Sequence, residues 1–234
     1  MDLPQPWTDL VSSDSARRQK ASDRCVTYIK EAASLGIRYF FVVMIPEDHA
    51  ASRSDNLSLA VDGYRSLCEQ IQLTGVKILL EGWPGMPPFF SSLACTPADY
   101  RLVLEQIGSE VMGINYDPSH LVRMGIDPIR FLEEFASQVF HVHAKDTELF
   151  QNELYEFGNL QQATEAVAHR FGGYHWRYTI PGHGVVRWSK LFTLLADVGY
   201  DGMISVELED ETFNGTMEGE QRGLIASRDF LVYA

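Results

Sequence analysis

The chain has 234 residues, 45% hydrophobic and 12% aromatic, with 18 glycines and 10 prolines, which is enough apolar material for one sizeable core and excludes a disordered chain. A formal charge of -13 excludes a nucleic-acid groove and an anionic membrane surface as partners, and it favours a small, neutral or weakly charged substrate. Cys25, Cys68 and Cys95 lack CxxC spacing and read as buried apolar residues of a reducing compartment. The start MDLPQPWTDL lacks an export signal's basic and apolar regions, so a cytoplasmic location is expected.

Strand-like and helix-like segments alternate along the chain, the pattern of parallel βα units. A helix is expected from Ser13 or Asp14 to Gly36, with Cys25, Ile29 and Ala32 at helical spacing, followed by the strand IRYFFVVMI over 36–45. A second helix over 56–75 precedes a strand at 76–82. A third, with Thr96 as cap and Pro97 at its first position, ends at Gly108 before a strand at 111–117. Asp127-Pro128 opens a helix ahead of VFHVHAKD at 138–146, and a short strand RYTIPG follows at 177–182. Ser189 caps the helix before GMISVELE at 202–209, and a last helix covers 217–232.

Six parallel strands are therefore predicted. A (β/α)8 barrel needs about 250 residues and eight strands, so the fold class expected for 1–234 is α/β: one TIM-barrel-like domain, incomplete, with its first βαβ portion absent. Residues 1–12 then form a loop, and the strand at 36–45 has an unpaired edge. An open doubly wound sheet is the alternative, but neither GxGxxG nor GxxxxGK[ST] occurs.

Four of the strands end in metal-binding side chains: Glu81 after ILL, Asp117 and His120 in INYDPSH, His141 and His143 in VFHVHAKD, and Glu207 after MISV. Carboxyl ends of parallel strands are where such folds carry their chemistry. His141, His143 and Lys145 share one strand face, and His143 lies nearer the carboxyl end. The bland alternatives are a solvated carboxylate for Glu81, a helix cap for Asp117, and Glu209 in place of Glu207.

A strand-end Glu, D-x-x-H, an H-x-H block followed by Lys-Asp, a PG-x-G turn and a final strand-end Glu occur in that order. From about residue 20 onward the chain thereby resembles the xylose-isomerase-like TIM-barrel superfamily, the sugar phosphate isomerase/epimerase group that includes ketose 3-epimerases and inosose dehydratase. The resemblance implies that Glu81, Asp117, His143 and Glu207 are metal ligands, and that His120 and Lys145 face the substrate. It places Pro181-Gly182-His183-Gly184 beside the site. His183 departs from the residue usual at that point of the turn and is a further candidate for substrate contact, as is Arg177.

Three carboxylates and one imidazole form a hard, mostly oxygen site suited to one divalent ion, Mn²⁺, Mg²⁺ or Co²⁺, with Zn²⁺ also acceptable. Such an ion relieves repulsion among the carboxylates and acidifies the carbon beside a ketose carbonyl, so that Glu81 and Glu207 can remove and return a proton. The expected function is a metal-dependent isomerase or epimerase of a small ketose or keto-polyol. The alternatives are a lyase or dehydratase on a keto-sugar or inosose, 3-keto-glycoside cleavage included, and a non-catalytic degenerate barrel. A homo-oligomer is compatible with the exposed edge. Residues 147–175 are expected to act as a lid through Phe150, Tyr155 and Phe157, with Trp83 and Trp188 as candidate sugar faces.

Overall fold

A computed structural model describes residues 1–85, 92–160 and 164–234. Asp14 and Thr96 cap helices where the sequence puts them, while the second helix starts three residues earlier than expected, at Arg53. Asp14 accepts the backbone N–H groups of Ala16 and Arg17 at the start of α1 (Ser15–Ser34), and Ser52 accepts that of Asp55 in α2 (Arg53–Ile71). Thr96 caps α3 (Pro97–Ile107), which Gly108 closes in the left-handed region at φ 62°. Each cap satisfies donors or acceptors that a helix end leaves open. The strands β1 (Tyr39–Val42), β2 (Lys77–Leu80) and β3 (Met112–Tyr116) alternate with these helices. Next come α4 (Pro118–Arg123), α5 (Pro128–Phe135), β4 (Val139–Ala144), β5 (Asp146–Leu149) and α6 (Gln151–Phe157). The chain ends with β6 (Trp176–Thr179), α7 (Trp188–Asp197), β7 (Ile204–Val206) and α8 (Met217–Tyr233).

The chain forms two compact units, one holding residues 1–85 and 92–115 and the other Tyr116–Ala234. In the first, β1 pairs parallel with β2 and β2 with β3. Cys25 and Ile29 of α1 are buried, as are Leu67, Cys68 and Ile71 of α2, and the three cysteines are free and buried as expected. In the second, β4 pairs parallel with β7, while Phe131 and Leu132 of α5 and Leu191 and Leu195 of α7 are buried. The sheet order is β1-β2-β3-β4-β7, the parallel α/β arrangement of an incomplete TIM barrel with five strands. Among the described residues no helix is long and apolar enough to cross a membrane.

Several expectations need correction. The strand expected at 177–182 is β6, and it does not join the parallel sheet. It pairs antiparallel with β5, with Glu148 beside Arg177 and Thr147 beside Tyr178. The residues after Lys145 extend again as a strand, so the return segment closes an antiparallel ribbon in place of a helical crossover, which a parallel neighbour requires. The edge of β1 is not bare: the N–H of Phe41 donates to Met1 O and the N–H of Leu3 to Phe41 O. Residues 1–3 thus extend along that edge and are not simply loop. The seventh helix starts at Trp188, one residue before Ser189, with no side-chain cap. In the region expected to be a lid, Tyr155 is 86% exposed, Phe150 stacks on His169 and Phe157 contacts Tyr174, so these rings pack locally or face solvent. Residues 161–163 of that expected lid lie outside the described residues.

Asp146 is the anchor of the turn at 181–184. Buried completely, its carboxylate accepts the N–H groups of Thr147, Gly182 and Val186 and the indole N–H of Trp188, and that bond assigns Trp188 to packing. A Cβ on Gly184 would lie 2.2 Å from Asp146 Oδ1 and 2.5 Å from Thr147 O. Gly184→Ala is therefore expected to cost about 2–3 kcal/mol by overpacking, read as a lower urea midpoint, and wild-type stability would show that the turn adjusts freely.

Candidate functional site

Glu81 follows directly on β2, and its N–H donates to Val42 O at 3.0 Å. Only 3% exposed, its side chain is bound by the amide of Asn115, which donates to Oε2. An acid at the end of an apolar strand is thus held in a buried position by a side chain two residues before Asp117.

Asp117 fills the helix-cap role that the sequence left open. As N-cap of α4, its Oδ1 accepts the Ser119 N–H at 2.8 Å and the Ser119 hydroxyl at 2.6 Å. Its Oδ2 is buried and makes no hydrogen bond, although the Lys145 ammonium lies 3.2 Å away and His120 Nε2 3.3 Å away. A buried carboxylate oxygen without a hydrogen bond is costly unless a cation takes it.

The β4–β7 register sets the remaining partners. His143 lies beside Ser205 and Ala144 beside Val206, so one further step brings Lys145 alongside Glu207. Val142 and Ala144 are buried on one face of β4, which leaves His141, His143 and Lys145 on the other, their alternation fixed by strand geometry. His143 Nδ1 is 3.1 Å from Glu207 Oε2. Lys145 Nζ donates to Glu207 Oε2 at 2.7 Å and to Glu209 Oε2 at 3.0 Å. Burial disfavours the Lys145 charge, yet Asp117 and Glu207, with Tyr178 and Glu209, hold its pKa well above the ordinary lysine value. Both carboxylates that compete in the sequence for one role therefore serve the same ammonium.

One donor atom from each of Glu81, Asp117, His143 and Glu207 lies within 4.8 Å of the others, so the four can hold a metal ion. The donor set fits a divalent cation on two observations: the unbonded buried oxygen of Asp117 and the hard, mostly carboxylate chemistry. Of the other candidates, His120 lies against Asp117, whereas Arg177 and His183 have other neighbours. His120 is buried, its Nδ1 2.7 Å from the Tyr178 hydroxyl. Arg177 is bound by Glu148 at 2.8 Å and by Glu211, an arrangement that ties β5 to β6. His183 is exposed, its ring 6.2 Å from that of Phe213. Ser119, Arg123, Asn115 and Tyr178 escaped the sequence reading. Arg123 stands three residues after His120, one helical turn on, and Asn115 two residues before Asp117 along the strand; those spacings were the available signal.

A parallel α/β barrel, short of its full strand count and with acids and a histidine at its strand ends, is the class that fold and site define. The chain belongs to the xylose isomerase-like TIM barrel family, whose model matches residues 3–232. It is 32% identical to the uncharacterized protein YfiH of Bacillus subtilis (strain 168) over 161 residues, which are 67% of this chain and 48% of that protein. It is 29% identical to an inosose dehydratase of Bacillus cereus (strain AH820) over 116 residues, 50% of this chain and 37% of that enzyme. The matched segments thus span about half or less of these relatives. Among solved structures, a D-tagatose 3-epimerase-like protein superposes with a TM-score of 0.67 at 22% identity, covering 99% of this chain and 76% of its own. The IOLI protein, solved with a bound zinc atom, superposes with a TM-score of 0.61 at 20% identity, covering 91% and 71%. At these identities the structures establish the fold.

Proposed function

We propose that the chain carries out divalent-metal-assisted proton transfer at the carbon beside a carbonyl, as an epimerase or isomerase of a small ketose or keto-polyol. The observation that carries this reading is the group of four donor atoms at strand ends, one of them a buried oxygen with no hydrogen bond. Glu81, Asp117, His143 and Glu207 hold the ion, with Mn²⁺, Mg²⁺ or Co²⁺ as the suited metals and Zn²⁺ also compatible. When bound, such an ion would polarise the carbonyl and make the hydrogen on the neighbouring carbon more acidic. Glu81 and Glu207 take and return the proton, and Lys145 offers a positive charge to substrate oxygen. Likeness to a ketose epimerase-like structure supports the sugar class.

A second reading is favoured by the inosose dehydratase match: the same proton removal followed by loss of water from a keto-polyol. The two separate in D₂O. An epimerase or isomerase returns the same molecular formula with deuterium at carbon, whereas a dehydratase releases water. Exhaustive chelation is expected to abolish turnover of keto-sugars and inososes, and Mn²⁺ or Co²⁺ to restore it. Full activity with no metal detected by elemental analysis would sink both readings.

A further inference from the structure

Three carboxylates face one ammonium just past the end of β4. Lys145 is buried. Its Nζ donates to Glu207 Oε2 at 2.7 Å and to Glu209 Oε2 at 3.0 Å, with Asp117 Oδ2 a further neighbour at 3.2 Å. Asp117 and Glu207 also belong to the group of four metal donors, whereas Glu209 lies outside it. When the four donors hold an ion, two of the three carboxylates around Lys145 are shared with a second positive charge. A buried ammonium without an anionic partner is costly, so a carboxylate outside the donor group has to stay with Lys145. Glu209 is the one within hydrogen-bond reach.

The backbone of Glu209 is fixed from both sides. Asn214 Nδ2 donates to Leu208 O at 3.1 Å, and Asn214 Oδ1 accepts the Asp210 N–H at 2.8 Å, so one amide holds the peptide groups before and after Glu209. The buried carboxylate of Asp210 accepts the Thr179 hydroxyl at 2.6 Å and the Ile180 N–H at 3.2 Å, which ties the same turn to the end of β6. A partly exposed glutamate ordinarily gains little from pairing with a lysine. This one is delivered to a buried ammonium by a turn already held in place. We infer that Glu209 is a positioning residue, the counter-ion reserved for Lys145, which keeps the ammonium from competing with a divalent ion for Asp117 and Glu207. The inference rests on the metal-site reading and adds to it a carboxylate that does not itself hold the ion. Partners of this kind behind a ligand are worth about 10- to 100-fold in metal affinity.

The test is a double-mutant cycle on the full chain, read as the Mn²⁺ dissociation constant by calorimetric titration. Glu209→Gln keeps the size of the side chain and removes its charge, and is expected to raise that constant by about 10-fold, the low end of the range for such partners. In the Lys145→Met background the same change is expected to leave the constant nearly unchanged, because the competitor is gone. Asn214→Ala keeps the carboxylate but releases its backbone, and is expected to raise the constant in the same Lys145-dependent way. A folded Glu209→Gln that binds Mn²⁺ as tightly as wild type overturns the inference. An equal rise in both backgrounds overturns it too, since Glu209 would then act on the ion directly. Should Glu209→Gln not fold, Asn214→Ala decides by the same two criteria. Asp117→Asn binding Mn²⁺ normally would instead overturn the metal site itself, and this role with it.

Discussion

Glu207→Gln and Glu81→Gln are each expected to lower turnover by about 10²- to 10⁴-fold, the worth of a positioned acid or base. The amide keeps the size of the side chain and removes its basicity. Because both carboxylates belong to the proposed donor group, metal content must be measured beside the rate, and the loss of turnover per bound ion is the quantity that tests the mechanism. At Glu207 the change also takes a charged partner from Lys145 and His143, whereas Glu81 is held by Asn115. If the two acids serve opposite faces of one enediolate, one variant still exchanges the substrate's carbon-bound hydrogen with D₂O while net conversion stops. Turnover of a keto-sugar with no solvent deuterium in recovered substrate or product would point to a hydride shift and defeat the two-glutamate scheme.

Much of the fold was legible because its signals are local. Asp14, Thr96 with Pro97, and Asp127 with Pro128 mark helix starts by chemistry that acts over three or four residues. The apolar runs before Glu81, Asp117 and Glu207 end where the chain leaves the sheet. RYTIPG misled because an apolar strand reads alike whether its neighbour is parallel or antiparallel. What decides is a long-range pairing, Asp146–Leu149 against Trp176–Thr179, which residue periodicity does not encode. The site divides the same way. Strand-end position and residue type marked the blocks, and the family resemblance narrowed them to Glu81, Asp117, His143 and Glu207, but neither encodes which groups stand behind them. Arg123 and Tyr178, 55 residues apart, share a hydrogen bond, and the reading of Arg177 failed to foresee Glu148 and Glu211. Glu209 stood only as the rival of Glu207, and it was the fold that brought both to Lys145.

Lys145→Met is expected to weaken the metal-free protein and strengthen its hold on a metal. Lys145 is 1% exposed and lies within 3.2 Å of Asp117, Glu207 and Glu209 oxygens. Removing one partner of a buried ion pair costs about 3–5 kcal/mol, because the other charge is left behind in a poor solvent. The side chains of Glu207 and Glu209 are 36% and 37% exposed, so water screens them and the penalty falls mainly on Asp117. About 3 kcal/mol, at the low end of that range, is the loss expected in urea unfolding without metal. A divalent ion takes over the neutralising role, so Mn²⁺ at 100 times its dissociation constant adds about 2.7 kcal/mol. The ammonium also competes with the ion for Asp117 and Glu207. Its removal therefore lowers the Mn²⁺ dissociation constant, while turnover falls if Lys145 supports substrate oxygen. Equal metal-free stability of variant and wild type, or a weaker grip on Mn²⁺ in a folded variant, would show that Lys145 is not the internal counter-ion of these carboxylates.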